Sequence, residues 1–310
     1  MRITDAHMAG SPFGSKYQPT KQVAPLIPSN SKFYDLHKVY EKMLDLSIYI
    51  TYPQDKIHEL YFYVKSNVKD ILTVPDIQRF LQTTQAYENA PGYAVTTGIF
   101  ISHLVQQAHN HGEDTFTLST VGLKEISYVC YNLVKKEDRR LQITIKGHVG
   151  YNSMSCANGG TYYLESANRA FQCAENITAY IDQASDWTAT SSHNSTIFIR
   201  TGGDYIGRHS QNSTFYLDTV KDDFCKNSNN VTAIAKYTGR DCLDESRDCT
   251  AYAYQFGEFR DVQLASNTFM SPNDVLYGSV ERMSFTQWND IWKQAEEGFA
   301  RLDDVLRGGR

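Results

Sequence analysis

Asn194-Ser-Thr-Ile-Phe-Ile-Arg200, Asn212-Ser-Thr-Phe-Tyr-Leu-Asp218 and Asn230-Val-Thr-Ala-Ile-Ala-Lys236 are three copies of one pattern, spaced 18 residues apart. The pattern extends outward in both directions. Gln142-Ile-Thr-Ile-Lys146, Thr161-Tyr-Tyr-Leu-Glu165 and Thr178-Ala-Tyr-Ile-Asp182 precede it; Thr250-Ala-Tyr-Ala-Tyr254 and Thr268-Phe-Met270 follow. Successive copies start 19, 17 and then five times 18 residues apart, a period that marks stacked coils. Each copy is short, β-branched and aromatic, which suits a strand. Side chains alternate across a strand, so the first and third residues after each Thr share a face. That face reads Ile143/Ile145, Tyr162/Leu164, Ala179/Ile181, Ile197/Ile199, Phe215/Leu217, Ala233/Ala235 and Ala251/Ala253, an interior column whose bulk shrinks toward the C-terminal coils. The opposite face carries Tyr163, Tyr180, Phe198, Tyr216, Ile234 and Tyr252.

Two residues before each Thr stand Asn176, Asn194, Asn212, Asn230 and then Asp248. Stacked at strand spacing, these amides pass hydrogen bonds from coil to coil as an asparagine ladder, expected to be buried. The four Asn also each open an Asn-X-Thr sequence, the pattern of a glycosylation acceptor, which the ladder itself produces. Eighteen residues also fit a left-handed hexapeptide helix, but that fold needs an aliphatic residue every six positions, and Ile199, Tyr205 and Gln211 do not supply it. The repeat therefore predicts a parallel β-helix of about seven coils.

The flanks read as helix. Phe33, Leu36, Val39, Tyr40, Met43 and Leu44 lie on one stripe; Ile57, Leu60, Tyr61, Val64, Val68 and Ile71 on a second, opening after Pro53. A third begins at Thr73-Val-Pro-Asp76, and a fourth spans Thr97 to Gln107. At the C-terminus, Ser284 and Gln287 make a capping box ahead of Trp288, Ile291, Trp292, Ala295, Phe299, Leu302 and Val305 at helical steps. The expected organisation is α+β: a flexible arm over 1–31, a helical module over 32–114, a β-solenoid over 115–275 and an amphipathic helix over 283–310.

The linkers carry a further signal. Gly147-His-Val-Gly150-Tyr-Asn-Ser-Met154, ending in Gly159-Gly160-Thr161, and Thr201-Gly-Gly203-Asp-Tyr-Ile-Gly207-Arg208 resemble the GXGXG solenoid. That fold is known from the C-terminal domain of the large chain of glutamate synthase and from one component of formylmethanofuran dehydrogenase. The resemblance covers about residues 141 to 240; other coils lack the glycines. It implies a right-handed helix without catalytic residues of its own, which holds neighbouring modules in place. The arrangement with a helical half resembles standalone archaeal proteins of this solenoid type.

Composition narrows the function. With 30 Lys+Arg against 35 Asp+Glu, the net charge of −5 disfavours a nucleic-acid partner. The apolar run Tyr93 to Val105 is too short to span a membrane, and no apolar signal segment opens the chain, so the expected compartment is the cytoplasm. The six cysteines include no CxxC pair and read as reduced, buried thiols; Cys156 and Cys173, each five residues before a repeat Thr, read as a small buried ladder. His109-Asn-His111-Gly-Glu113-Asp114 reads as a polar helix end and not a metal site. No P-loop, G-x-S-x-G, HExxH or dinucleotide fingerprint occurs, and no cofactor is implied.

The candidate binding face is therefore Tyr163, Tyr180, Phe198, Tyr216 and Tyr252, unless the protein's own helices lie on it, with Trp288, Ile291, Trp292 and Phe299 as a docking helix that covers the last coil, packs along the solenoid or meets another chain. The reading is a non-catalytic scaffold or a member of a complex, partnered by another protein or by its own copy. The alternative is a β-helix that binds or cleaves polysaccharide, which requires exposed aromatics beside carboxylates.

Overall fold

The computed structural model describes residues 33–47, 54–257, 266–273 and 280–308; the expected arm over 1–31 and Pro53 lie outside them. Four helices come first: α1 (Tyr34–Ser47), α2 (Gln54–Asn67), α3 (Val74–Thr83) and α4 (Tyr93–Asn110). Thr73 caps α3 with its Oγ1 accepting from the Asp76 N–H, and Pro75 occupies the first turn, where a missing N–H costs nothing. Helix α2 stops at Asn67, so Ile71 falls beyond the stripe to which its spacing assigns it and is exposed. Helix α4 is the hub of the module, with Ile99, Phe100, Ile101, Leu104 and Val105 fully buried among α1, α2 and α3.

Ten parallel strands follow in one sheet in chain order: β1 (Thr115–Ser119), β2 (Gln142–Val149), β3 (Thr161–Ala167), β4 (Thr178–Ala184), β5 (Thr196–Gly202), β6 (Thr214–Val220), β7 (Thr232–Tyr237), β8 (Thr250–Gln255), β9 (Thr268–Ser271) and β10 (Val280–Arg282). The repeat threonines pair directly, Thr161 with Thr178, Thr178 with Thr196, and so on to Thr250 with Thr268. The chain is thus a parallel β-solenoid of about seven coils. Strand β10 carries the sheet past residue 275, the expected end of this region.

An open sheet edge invites pairing with other chains. At the N-terminal end side chains close it. The Gln78 amide accepts from Ser119 N at 2.7 Å and donates to Ser119 O at 3.2 Å; the Gln106 amide serves Val134 in the same way, at 2.8 and 3.1 Å. Each amide imitates one missing peptide rung. The module seats closely: a Cβ on Gly98 would overlap the Ser127 carbonyl, with the Ser127 C only 2.8 Å away.

Inside the solenoid, bulk is traded across the core and not lost toward the C-terminus. Phe171, Ala189, Gly207, Cys225 and Leu243 face the core from the far side, in coils whose strand residues are Ala179, Ile197, Phe215, Ala233 and Ala251. Apart from Cys225 with Ala233, both small, the wall is large where the strand is small and small where the strand is large. Gly207 shows the reason, because a Cβ there would lie 2.8 Å from Phe215 Cζ. This far wall adopts positive φ in every coil, at Phe171 (59°), Ala189 (59°), Gly207 (69°), Cys225 (52°) and Leu243 (58°). Left-handed backbone costs a non-glycine residue about 1–2 kcal/mol. Inter-coil hydrogen bonds hold it, such as Ala189 N–H to Ala170 O at 2.8 Å and Leu243 N–H to Phe224 O at 2.8 Å.

The asparagine ladder is present but lies on the surface, which corrects the expected burial. Asn176, Asn194, Asn212 and Asn230 are all exposed at φ of 47–54°, a conformation Asn tolerates. Amide bonds link Asn230 to Asn212 (2.8 Å), Asn194 to Asn176 (3.4 Å) and Asn176 to Asn158 (3.2 Å). Serines form the buried ladder. Ser228 Oγ accepts from Ser210 N–H at 3.1 Å, and Ser246 Oγ from Ser228 N–H at 2.9 Å. Ser228→Ala is expected to cost about 0.5–1.5 kcal/mol, since it removes the hydroxyl bonds to Ser210 N–H and Gly207 O while Ser210 N–H keeps the Gly207 carbonyl at 3.2 Å. Asn212→Ala is expected to cost about 1–2 kcal/mol, mostly backbone strain that Asn212→Gly avoids. Urea melts of the three variants separate these causes; equal losses for Asn212→Gly and Asn212→Ala would refute the strain account.

Candidate functional site

The second apolar cluster of the molecule is the strand face opposite the core. Tyr163, Tyr180, Phe198 and Tyr216 stack ring on ring along the solenoid, with centroids 4.9, 4.8 and 4.6 Å apart and planes within 7°. Register produces this geometry, because paired residues of parallel strands stand about 4.8 Å apart, close to the spacing of stacked rings. Ile234 and the half-buried Tyr252 continue the column.

This face is covered. Helix α5 (Phe285–Arg307) opens with the Ser284–Gln287 capping box and runs back along the solenoid over the ladder. Trp288 and Trp292 stack at 5.5 Å and are buried with Ala295 and Leu302; Ile291 and Phe299 are half-buried beside them. The predicted docking helix thus docks on its own chain, and the predicted binding rings lie beneath it. The closest approach is at Gly298, where a Cβ would stand 2.5 Å from Phe198 Cε1.

Polar contacts along the helix bring in residues that the repeat does not mark. Gln294 Oε1 accepts from the Tyr216 hydroxyl at 2.5 Å, and Arg301 donates to the Tyr180 hydroxyl at 3.1 Å. Arg200 bridges Asp182 (2.5 Å) and Asp303 (2.9 Å), tying two coils to the helix. Lys236 lies 4.9 Å over the Trp292 ring. Burial raises the Tyr163 and Tyr216 hydroxyls above their ordinary range. These partners come from a segment up to 121 residues away in sequence and follow no period.

A different aromatic surface stays partly open on the turns. Tyr151, Arg169, Trp187 and Tyr205 recur at the 18-residue period, a signal present in the sequence. Trp187 and Tyr205 stack at 4.3 Å; Arg208 lies 5.1 Å from one ring and 5.6 Å from the other, and Arg169 lies over Tyr151 at 5.0 Å. The neighbouring carboxylates serve the turns. Asp186 Oδ1 accepts from Asp204 N–H at 2.9 Å and Asp204 Oδ1 from Asp222 N–H at 3.1 Å.

His109 is built into the helix end. Its Nδ1 bonds Glu113 O at 2.8 Å, its Nε2 accepts from Lys136 N–H at 3.3 Å, and His111 Nδ1 bonds Gln107 O at 2.8 Å. Among the described residues, no three His, Cys, Asp or Glu side chains converge as a metal site, and no helix is long and apolar enough to cross a membrane. Cys130, Cys225, Cys242 and Cys249 are buried, whereas Cys156 and Cys173 are exposed, against the expectation of a buried pair.

No protein-family model, curated protein or solved structure matches the chain.

Proposed function

We propose that this protein is a non-catalytic scaffold or a member of a complex whose solenoid receives an amphipathic helix on its aromatic ladder. The fit of α5 to that ladder carries the reading: a glycine at the tightest approach, two stacked tryptophans, and polar contacts to coils from β4 to β7. Such a face holds a helix by shape, and the carboxylates Asp182 and Asp303 beside it are both engaged by Arg200. A GXGXG-type solenoid that positions its neighbours would serve the same role, and the glycine pattern of residues 147–160 and 201–208 supports that kinship. At Gly207 the backbone itself does not require glycine, since Phe, Ala, Cys and Leu adopt its conformation in other coils, whereas Gly147 and Gly160 at φ of 93° and 100° lie outside the range of those residues. Unpaired cysteines favour a reducing, cytoplasmic compartment. The negative net charge favours a protein partner or a second copy over nucleic acid.

The test is co-purification of the tagged full chain in moderate salt, read by mass spectrometry and stoichiometry. A stoichiometric protein partner, or a defined oligomer, is expected. A clean monomer that retains no protein would overturn the scaffold reading.

The half-open Trp187–Tyr205 stack favours a second reading, a carbohydrate-binding face on the turns. The adjacent Asp186 and Asp204 carboxylates are occupied with backbone N–H groups, which points to binding and not cleavage. A glycan screen of wild type against Trp187→Ala decides it, since signal that survives the substitution would exclude this face.

A further inference from the structure

Cys156 and Cys173 sit at equivalent places on consecutive coils. Asn158 pairs with Glu175 in parallel register, and Cys156 N–H donates to Gln172 O at 2.8 Å, so residue 156 faces residue 173. Both adopt left-handed backbone, at φ of 56° and 53°, so their side chains leave the two coils in the same direction. Facing residues on adjacent coils stand about 4.8 Å apart at Cα, inside the span of about 4.4–6.8 Å that a disulfide bridges. The two thiols are close enough to shift each other's titration, and Tyr131 lies beside Cys156. Residue 132 precedes them in the column as Asn and residue 191 follows as Ser, so the pair has no third thiol beside it. Both are exposed, and the other four cysteines are buried.

We propose that Cys156 and Cys173 are a redox-active dithiol that closes into a disulfide between coils by exchange with a low-molecular-weight disulfide such as glutathione disulfide. The Cys173 thiolate attacks one sulfur of the small disulfide; a mixed disulfide forms and one small thiolate leaves. Cys156 then gives up its proton, attacks the Cys173 sulfur, and expels the second small thiolate. Two protein thiols lose two electrons and two protons, and the small disulfide becomes two thiols. The order of attack follows from the coupling of the two thiols. Mutual coupling of the facing thiols pushes the Cys173 thiol down to about 6 and the Cys156 thiol up. Cys173 is thus the thiolate at neutral pH, and Cys156 resolves the mixed disulfide.

The test incubates the full-length protein in buffers of varied reduced-to-oxidised glutathione ratio, quenches by alkylation without denaturation, and maps peptides by mass spectrometry. A linked peptide pair, 156 with 173, is expected to appear in one two-electron transition, while Cys130, Cys225, Cys242 and Cys249 stay unmodified. Cys156→Ala is expected to stop at a glutathione adduct on Cys173, and its alkylation midpoint moves up from about 6 toward the ordinary thiol value of about 8.5. Separate adducts on both cysteines without a linked peptide, or two free thiols at every ratio, would overturn the proposal. The alkylation profile of Cys156→Ala is read on folded protein, so a loss of stability cannot imitate either result.

Discussion

Gly298→Leu is expected to lift α5 from the solenoid. Any Cβ at this position meets the Phe198 ring, and Phe198 cannot yield, because Tyr180 stacks on one side at 4.8 Å and Tyr216 on the other at 4.6 Å. A leucine would drive the helix outward by more than a side-chain adjustment absorbs, and the loss extends to both buried tryptophans. Truncating one buried aromatic costs about 3–5 kcal/mol, and undocking the helix forfeits a comparable amount. Trp288 and Trp292 would enter water together, so the fluorescence maximum should shift to the red, and amides of 285–307 should lose protection from hydrogen exchange. The solenoid itself should stay folded, because its core lies on the other face of the strands. Glu296→Leu and Glu297→Leu, on the exposed side of the same helix, serve as controls and should change little. Retention of native tryptophan emission in Gly298→Leu would mean that the helix tolerates the contact, and the tight fit would cease to support the scaffold reading.

Phe215→Ala is expected to cost about 3–5 kcal/mol, the range for emptying a buried aromatic site. Phe215 is fully buried and meets Phe224 edge-on at 6.2 Å, and its ring occupies the space that Gly207 leaves. Two coils later the same volume is divided the other way, with Leu243 on the wall and Ala251 on the strand. The double variant Phe215→Ala with Gly207→Leu should therefore recover part of the loss, although leucine pays about 1–2 kcal/mol for left-handed backbone, as Leu243 does. Gly207→Leu alone should be severely destabilising, since it meets an intact Phe215. Denaturant midpoints of the four chains give the coupling, and a value of at least about 1 kcal/mol is expected. Additive losses would show that wall and strand do not share one volume.

The strands were legible because their physics is periodic. Residues that touch in a parallel stack lie one coil apart in the chain, so Thr161, Thr178, Thr196 and the rest declare their own register. Alternation marked the core-facing strand residues but not the burial of the opposite face, which α5 covers, and the helix starts at Thr73 and Ser284 followed from their capping residues. The turns were not legible in the same way. Asn176 to Asn230 recur like buried ladder residues, yet Ser210, Ser228 and Ser246, spaced just as regularly, hold the interior. Period reports which residues stack; it does not report whether the stack faces water.

From the amino-acid order alone came the coil length, the strand register, the interior column, the aromatic stripe and an amphipathic helix at the end. These depend on local propensity and on contacts at one repeating separation. The tertiary structure alone decided that α5 lies on the stripe, that Gly298 is its closest point, that left-handed backbone lines the far wall, and that Cys156 and Cys173 emerge side by side into solvent. Each of these depends on a partner far away in the chain, or on inter-coil hydrogen bonds that hold a backbone its own residues would not prefer.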